Sequence, residues 1–70
     1  MTIDFSKIIK TRREELGMSQ AALADITTLH RTTVFRYEHN QSGMTLDVLM
    51  SILNALGLKL DVIEQEGATE

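Results

Sequence analysis

Arg31, Thr32, Phe35 and Arg36 crowd two guanidiniums, a hydroxyl with its methyl, and an aromatic ring into one short run. A guanidinium carries paired N–H donors that match the O6/N7 edge of guanine, and a threonine methyl can touch the methyl of thymine. The phenyl ring of Phe35 suits a thymine methyl or a backbone sugar. Around this set stand Gln20, His30, Thr33, His39 and Asn40. Their amides, imidazoles and hydroxyl are groups that bond phosphate oxygens. Chemistry of other kinds has little to stand on. There is no plausible Ser/His/Asp or Cys/His set and no glycine-rich phosphate loop, and Glu14 and Glu15 diverge as helix neighbours. His30 and His39 are nine apart, and the chain has no Cys, so they make a poor metal pair. No enzyme, metal or cofactor is expected.

Such a surface needs a helix that presents it. Gln20–Glu38 reads as two short helices joined by a tight turn. Ser19 is a good N-cap for the first, Gln20–Ile26, where Ala21, Leu23 and Ala24 form a compact inward face. Thr27, Thr28 and Leu29 make the turn, with Leu29 plugging the core. The second helix spans about Arg31–Glu38, with Val34 and Tyr37 inward and Arg31, Thr32, Phe35 and Arg36 outward. This is a helix-turn-helix, a motif whose second helix lies in the major groove of DNA with its N-terminal residues at the base edges. Gln20 opens the first of its helices, where an amide and the terminal N–H groups can reach a phosphate.

The flanking segments supply support. Residues 5–16 carry Phe5, Ile8, Ile9 and Leu16 at helical spacing, with Asp4 placed as N-cap and Gly17 as the stop. Met18 is a buried connector. His39–Met44 is a turn by composition. Thr45 caps a further helix, Leu46–Leu56, whose stripe of Leu46, Leu49, Leu53 and Leu56 is widened by Val48 and Ile52 and ended by Gly57. A face that broad suggests burial on two sides, in a core and in a dimer seam. Leu58, Leu60 and Val62 then alternate with Lys59, Asp61 and Ile63, the period of a strand over about 58–63. A lone strand edge invites a second copy across a two-fold axis. Leu53, Leu56, Leu58, Leu60 and Val62 are therefore the expected dimer contacts.

The expected fold is all-α: four helices and a short C-terminal β-strand that pairs across a homodimer. Residues 1–64 form one domain and Gln65–Glu70 a flexible tail. A chain of 70 residues is near the lower limit for folding on one core, and dimerisation would help it. The net charge of −3 is unevenly spread. Residues 1–45 hold six cations against five anions, and residues 46–70 one cation against five anions. The basic groups needed to meet phosphate therefore lie in the helix-turn-helix half. No apolar run is long enough to span a membrane and no signal peptide is visible, so a cytoplasmic protein is expected.

The residues carry a family resemblance. Gln20–Asn40 resembles the helix-turn-helix of Cro/cI-type (XRE) repressors without a gap. The matching elements are Ser19–Gln20, Leu23–Ala24, Leu29, the segment Arg31–Val34 and the closing Glu38. Thr45–Leu58 is similar to the family's fourth helix. Thr28 stands where the family's turn usually has glycine, and Asn40 where a glycine often ends the recognition helix. The resemblance implies base contacts at Arg31, Thr32, Phe35 and Arg36, and an ion pair of Arg13 with Glu38 that sets the guanidinium near phosphate. The tail Gly57–Gly67 is similar to HipB-type antitoxins. That likeness implies a dimer on double-stranded operator DNA that regulates its own operon and holds a HipA-like serine/threonine kinase toxin, with or without an accessory protein. A stand-alone XRE-type or phage-type repressor, and an interaction module that does not bind DNA, are the alternatives.

Overall fold

Side-chain caps start three of the four helices. In the computed structural model, which describes residues 3–61, Asp4 Oδ1 accepts from the Lys7 amide, Ser19 Oγ from Ala22 and Thr45 Oγ1 from Val48. These caps open α1 (Phe5–Glu15), α2 (Gln20–Thr27) and α4 (Leu46–Ala55); α3 (Arg31–His39) begins after His30, whose ring makes no cap bond. The described residues are thus four helices in the order the sequence expects.

Three of these helices stop in the same way. The chain turns left-handed, and two backbone N–H groups reach back to carbonyls of the last turn. After α1, Gly17 N donates to Glu14 O and Met18 N to Arg13 O, both at 3.0 Å. After α4, Gly57 N donates to Asn54 O at 3.0 Å and Leu58 N to Leu53 O at 2.8 Å. After α2, Thr28 N donates to Asp25 O and Leu29 N to Ala24 O, at 3.3 and 2.9 Å. The left-handed residue there is Thr28, at φ +58. A β-branched residue in this region is strained, so the turn holds its geometry against a local cost.

The core lies where all four helices converge. Ile9, Leu23, Val34, Ile52 and Leu56 are fully buried, and Ala24, Tyr37, Leu49 and Leu53 nearly so. Each large apolar side chain removed from water contributes about 1.5–3 kcal/mol. Phe5, Met18, Leu29, Met44, Val48, Leu58 and Leu60 pack against this cluster from its rim. Among the described residues two polar ones are buried with it: Glu38, and Ser6, whose hydroxyl has no hydrogen-bond partner among them.

Several expectations are corrected. Ile8 and Leu16 are exposed, because α1 turns Phe5, Ser6 and Ile9 inward instead. Leu46 is also exposed, at the solvent end of the α4 stripe. Leu53 and Leu56 are not surface residues available to a partner, being 4% and 0% exposed within the chain's own core. The breadth of the α4 face is explained by that core, which takes side chains from all four helices. Asn40 is extended (φ −155) rather than left-handed, and its Oδ1 accepts from Ser42 N at 2.9 Å. Residues 58–61 carry no strand among the described residues, and the strand expected over about 58–63, whose partner is a second copy, extends beyond them. Val62, Ile63 and the tail Gln65–Glu70 lie outside the described residues.

Three long-range bonds help to close the domain. Gln41 Oε1 accepts from Phe5 N at 2.7 Å, and its Nε2 donates to Ile3 O at 3.0 Å. The loop after α3 thereby satisfies an orphan amide at the start of α1. Arg12 Nε donates to Leu56 O at 3.0 Å, joining α1 to the end of α4. None of these bonds has a signature in sequence periodicity.

Candidate nucleic-acid interface

A helix of nine residues cannot fold alone, so α3 is held by what lies behind it. Val34 and Tyr37 anchor its inner face in the core, and Glu38 fixes its last turn. The Glu38 side chain is fully buried and the Arg13 side chain 11% exposed. Arg13 Nε donates to Glu38 Oε2 and Arg13 Nη2 to Glu38 Oε1, the second at 3.1 Å. Gln20 Nε2 donates to the same Oε1 at 3.1 Å. Arg13 Nη1 donates to Met18 O at 2.7 Å. The hydrogen bond to Glu38 raises the Arg13 pKa, and burial opposes it. One carboxylate thus gathers the ends of α1, α2 and α3 into a joint. A fork-to-fork geometry of this kind fixes orientation as well as charge.

The joint changes the placement of two expected phosphate ligands. Arg13 is turned inward, with donors from all three of its guanidinium nitrogens engaged by Glu38 and Met18. Gln20 points its amide donor at Glu38 rather than out from the end of α2. Gln20 was not expected in the ion-pair network. Its position at the first turn of α2, opposite the last turn of α3, is the signal that pointed there.

The outer face of α3 gathers the rest of the set. Arg31, Thr32, Phe35 and Arg36 are all exposed, Phe35 at 52%. Arg31 has no ion pair or hydrogen-bond partner among the described residues, so its guanidinium is free for a ligand. Arg36 leans along the helix: its guanidinium carbon lies 5.0 Å from the Tyr37 ring centre and Nη2 is 3.5 Å from Tyr37 Oη. Phe35 and His39 stack with ring centres 4.3 Å apart. The His39 Nδ1 lies 2.8 Å from Phe35 O. A carbonyl only accepts, so Nδ1 carries the proton and the ring is pinned beside Phe35. Phe35 is therefore an outward group, not part of the core.

His30 is exposed at the start of α3 and Thr33 is half-buried on its flank; His39 and Asn40 are exposed at its end. A shallow groove runs between α2 and the first turn of α3, with Ala21, Asp25, Leu29, His30, Arg31 and Thr32 on its walls. No group of three or more His, Cys, Asp or Glu comes together as a metal-ligand set among the described residues. No helix among the described residues is long and apolar enough to cross a membrane.

A short outward helix with free arginine, hydroxyl and aromatic groups, braced from behind by a second short helix across a tight turn, defines a DNA-reading domain of the helix-turn-helix class. The sequence comparison agrees: the profile of the helix-turn-helix family matches residues 9–63. The chain belongs to that family, in its XRE type, whose fold is that of DNA-binding transcription regulators. No curated protein matches the chain. Among solved structures, it is similar to hydroxypropylphosphonic acid epoxidase from S. wedmorenis, at 35% identity and a TM-score of 0.72 over 80% of this chain. It is also similar to CoII HppE in complex with substrate, at 33% identity and a TM-score of 0.73 over 80% of this chain. The chain spans about a third of the length of these proteins, 30% of the first and 32% of the second.

Proposed function

We propose that the chain is a dimeric, sequence-specific transcriptional repressor. The observation that carries this reading is the outward face of α3, where a free Arg31 stands with Thr32, Phe35 and Arg36 on a helix braced by Glu38. Arg31 and Thr32, at the N-terminal end of α3, read base edges. Arg36, held against Tyr37, reads a base or grips phosphate one turn further along, and Phe35 packs on a thymine methyl or a sugar. His30, Thr33, His39 and Asn40 meet phosphate on either flank. Arg13 and Gln20 serve chiefly to position α3, since Glu38 holds their donors. The fold works where operator DNA is, in the cytoplasm.

Two copies place their recognition helices about 34 Å apart, one turn of DNA, on a palindromic operator. Leu53 and Leu56 lie inside each copy, so the seam starts at Leu58 and Leu60 and continues through the segment that includes Val62. In the finer reading, this repressor is the antitoxin of a HipBA-like system. It represses its own operon and binds a HipA-like kinase, with or without an accessory protein. The support for this is the tail Gly57–Gly67 and its likeness to HipB-type antitoxins.

A second reading has an observation behind it. The same fold makes up about a third of the epoxidase chains, so it also occurs within larger enzymes. On this reading the chain is a protein-interaction module that does not bind DNA. Affinity purification from native cells separates these readings. A discrete palindromic DNA fragment recovered with a kinase supports the antitoxin. DNA alone supports a stand-alone repressor, and protein without DNA sinks the repressor reading in favour of the module.

A further inference from the structure

Arg12 and Arg13 are neighbours on α1, yet they hold different parts of the molecule. Arg13 holds the recognition helix through Glu38. Arg12 holds the point where the chain leaves α4. Its Nε donates to Leu56 O at 3.0 Å, and its Nη1 lies 3.3 Å from Glu15 Oε1. Leu56 is the C-cap of α4, and its carbonyl is one that a helix leaves without an internal partner. The helix dipole favours a cation at that end. Gly57 follows at φ +73, and a Cβ placed there would stand 3.7 Å from Arg12 Nη2, so the guanidinium lies against the turn. Leu58 follows, packed against the core, and forms one wall of an open groove whose other walls include Ile8, Thr11 and Arg12 of α1. The start of the segment that leaves α4 is therefore tied to α1 at Arg12, and α1 is tied to α3 one residue further on.

We propose that Arg12 is the positioning residue that sets the operator half-site spacing. The inference rests on the dimeric repressor reading above. In a dimer whose seam begins at Leu58, the separation of the two recognition helices depends on the direction in which that segment leaves each copy. Arg12 fixes this direction by holding the Leu56 carbonyl on one side of Gly57 and flanking Leu58 on the other. Without it the direction is set only by the backbone bonds of the Gly57 turn and by the packing of Leu58 and Leu60, and it is less narrowly defined. The two reading heads remain linked, but over a range of separations, and the linkage no longer favours one spacing.

The test uses the full chain and its variants Arg12→Gln and Arg12→Lys. A palindromic duplex is first selected from a random library with the wild type. Affinities are then measured for that duplex, for duplexes with central base pairs added or removed, and for a single half-site. The wild type is expected to favour one spacing over its neighbours by about tenfold. Arg12→Gln is expected to flatten that preference to about twofold, with half-site affinity and base preference unchanged. Arg12→Lys keeps the charge but lacks Nε, and should fall between them. It also serves as the test variant if the glutamine chain does not fold. An unchanged spacing preference in a folded variant overturns the proposal. Loss of half-site binding overturns it too, because Arg12 would then be a general support of the reading head. A wild type that binds half-site and palindrome equally, and sediments as a monomer, overturns the dimer reading and this inference with it.

Discussion

Arg13 and Glu38 stand 25 positions apart in sequence and meet as a two-point ion pair, with the carboxylate fully buried and the guanidinium nearly so. The pair makes the orientation of α3 a property of α1. Gln20 adds α2 to the same carboxylate. The joint is thus built from polar groups that satisfy one another away from water, where removal of one member leaves the others stranded.

Glu38→Gln is expected to destabilise the fold by about 3 kcal/mol, because it leaves the buried guanidinium without its counter-charge. Urea denaturation measures this directly. Arg13→Met combined with Glu38→Leu should cost less than Glu38→Leu alone, since no uncompensated charge remains. An unchanged midpoint for Glu38→Gln would mean that the pair contributes nothing to the position of α3.

Thr28→Gly is expected to raise stability by up to about 1.5 kcal/mol. Release of a β-branched residue from the left-handed region gives back about 1–2 kcal/mol, and the added freedom of the unfolded glycine offsets about 0.5–1 of it. For a domain of this size the melting temperature should rise by about 4–8 °C per kcal/mol. The Thr28 hydroxyl bonds only the carbonyl of Thr27, so no distant contact is lost. A lower melting temperature would show that the side chain stabilises the turn in a way its strain conceals.

Much of this architecture was legible in the chain. Asp4, Ser19 and Thr45 announce helix starts, and Gly17 and Gly57 announce stops, because capping is local chemistry. The outward set on α3 follows from a 3.6-residue period once Val34 and Tyr37 are placed inside. What the period does not carry is a bond between distant elements. Gln41 looks like one more polar loop residue until its amide is found clamping the start of α1. Arg12 looks like a solvated helix charge until the end of α4 arrives beside it. Asparagine at position 40 tolerates left-handed geometry, but its backbone here is extended and its side chain turns the loop locally by accepting from Ser42 N.

On the proposed reading, in which the Arg31 guanidinium reads a base, Arg31→Ala is expected to weaken operator binding by about 1–3 kcal/mol and relax preference at one base pair of each half-site. Thr33→Ala and His39→Ala, proposed to remove phosphate contacts, should weaken binding alike on all sequences. Titration of selected and scrambled duplexes across a range of salt concentrations separates the two behaviours. Equal losses on both duplexes for Arg31→Ala would move that residue from base reading to phosphate.

Leu53→Ala separates the core from the dimer seam. The sequence pattern alone assigns Leu53 to both, since a wide apolar stripe does not say which neighbour covers which residue. In the structure Leu53 is 4% exposed, and its carbonyl accepts the Leu58 amide that closes α4. Its truncation leaves a cavity inside one copy, and the expected cost is about 2–5 kcal/mol. That cost belongs to each copy, so the drop in stability should be similar across protein concentrations. Leu60→Ala is the contrast: Leu60 is only half-buried at the rim, and a seam residue there should lose stability mainly by weakening association. Its deficit should then shrink as protein concentration rises, because mass action restores the dimer. Melting both variants over a hundredfold concentration range reads the difference. A concentration-dependent deficit for Leu53→Ala would return that residue to the interface.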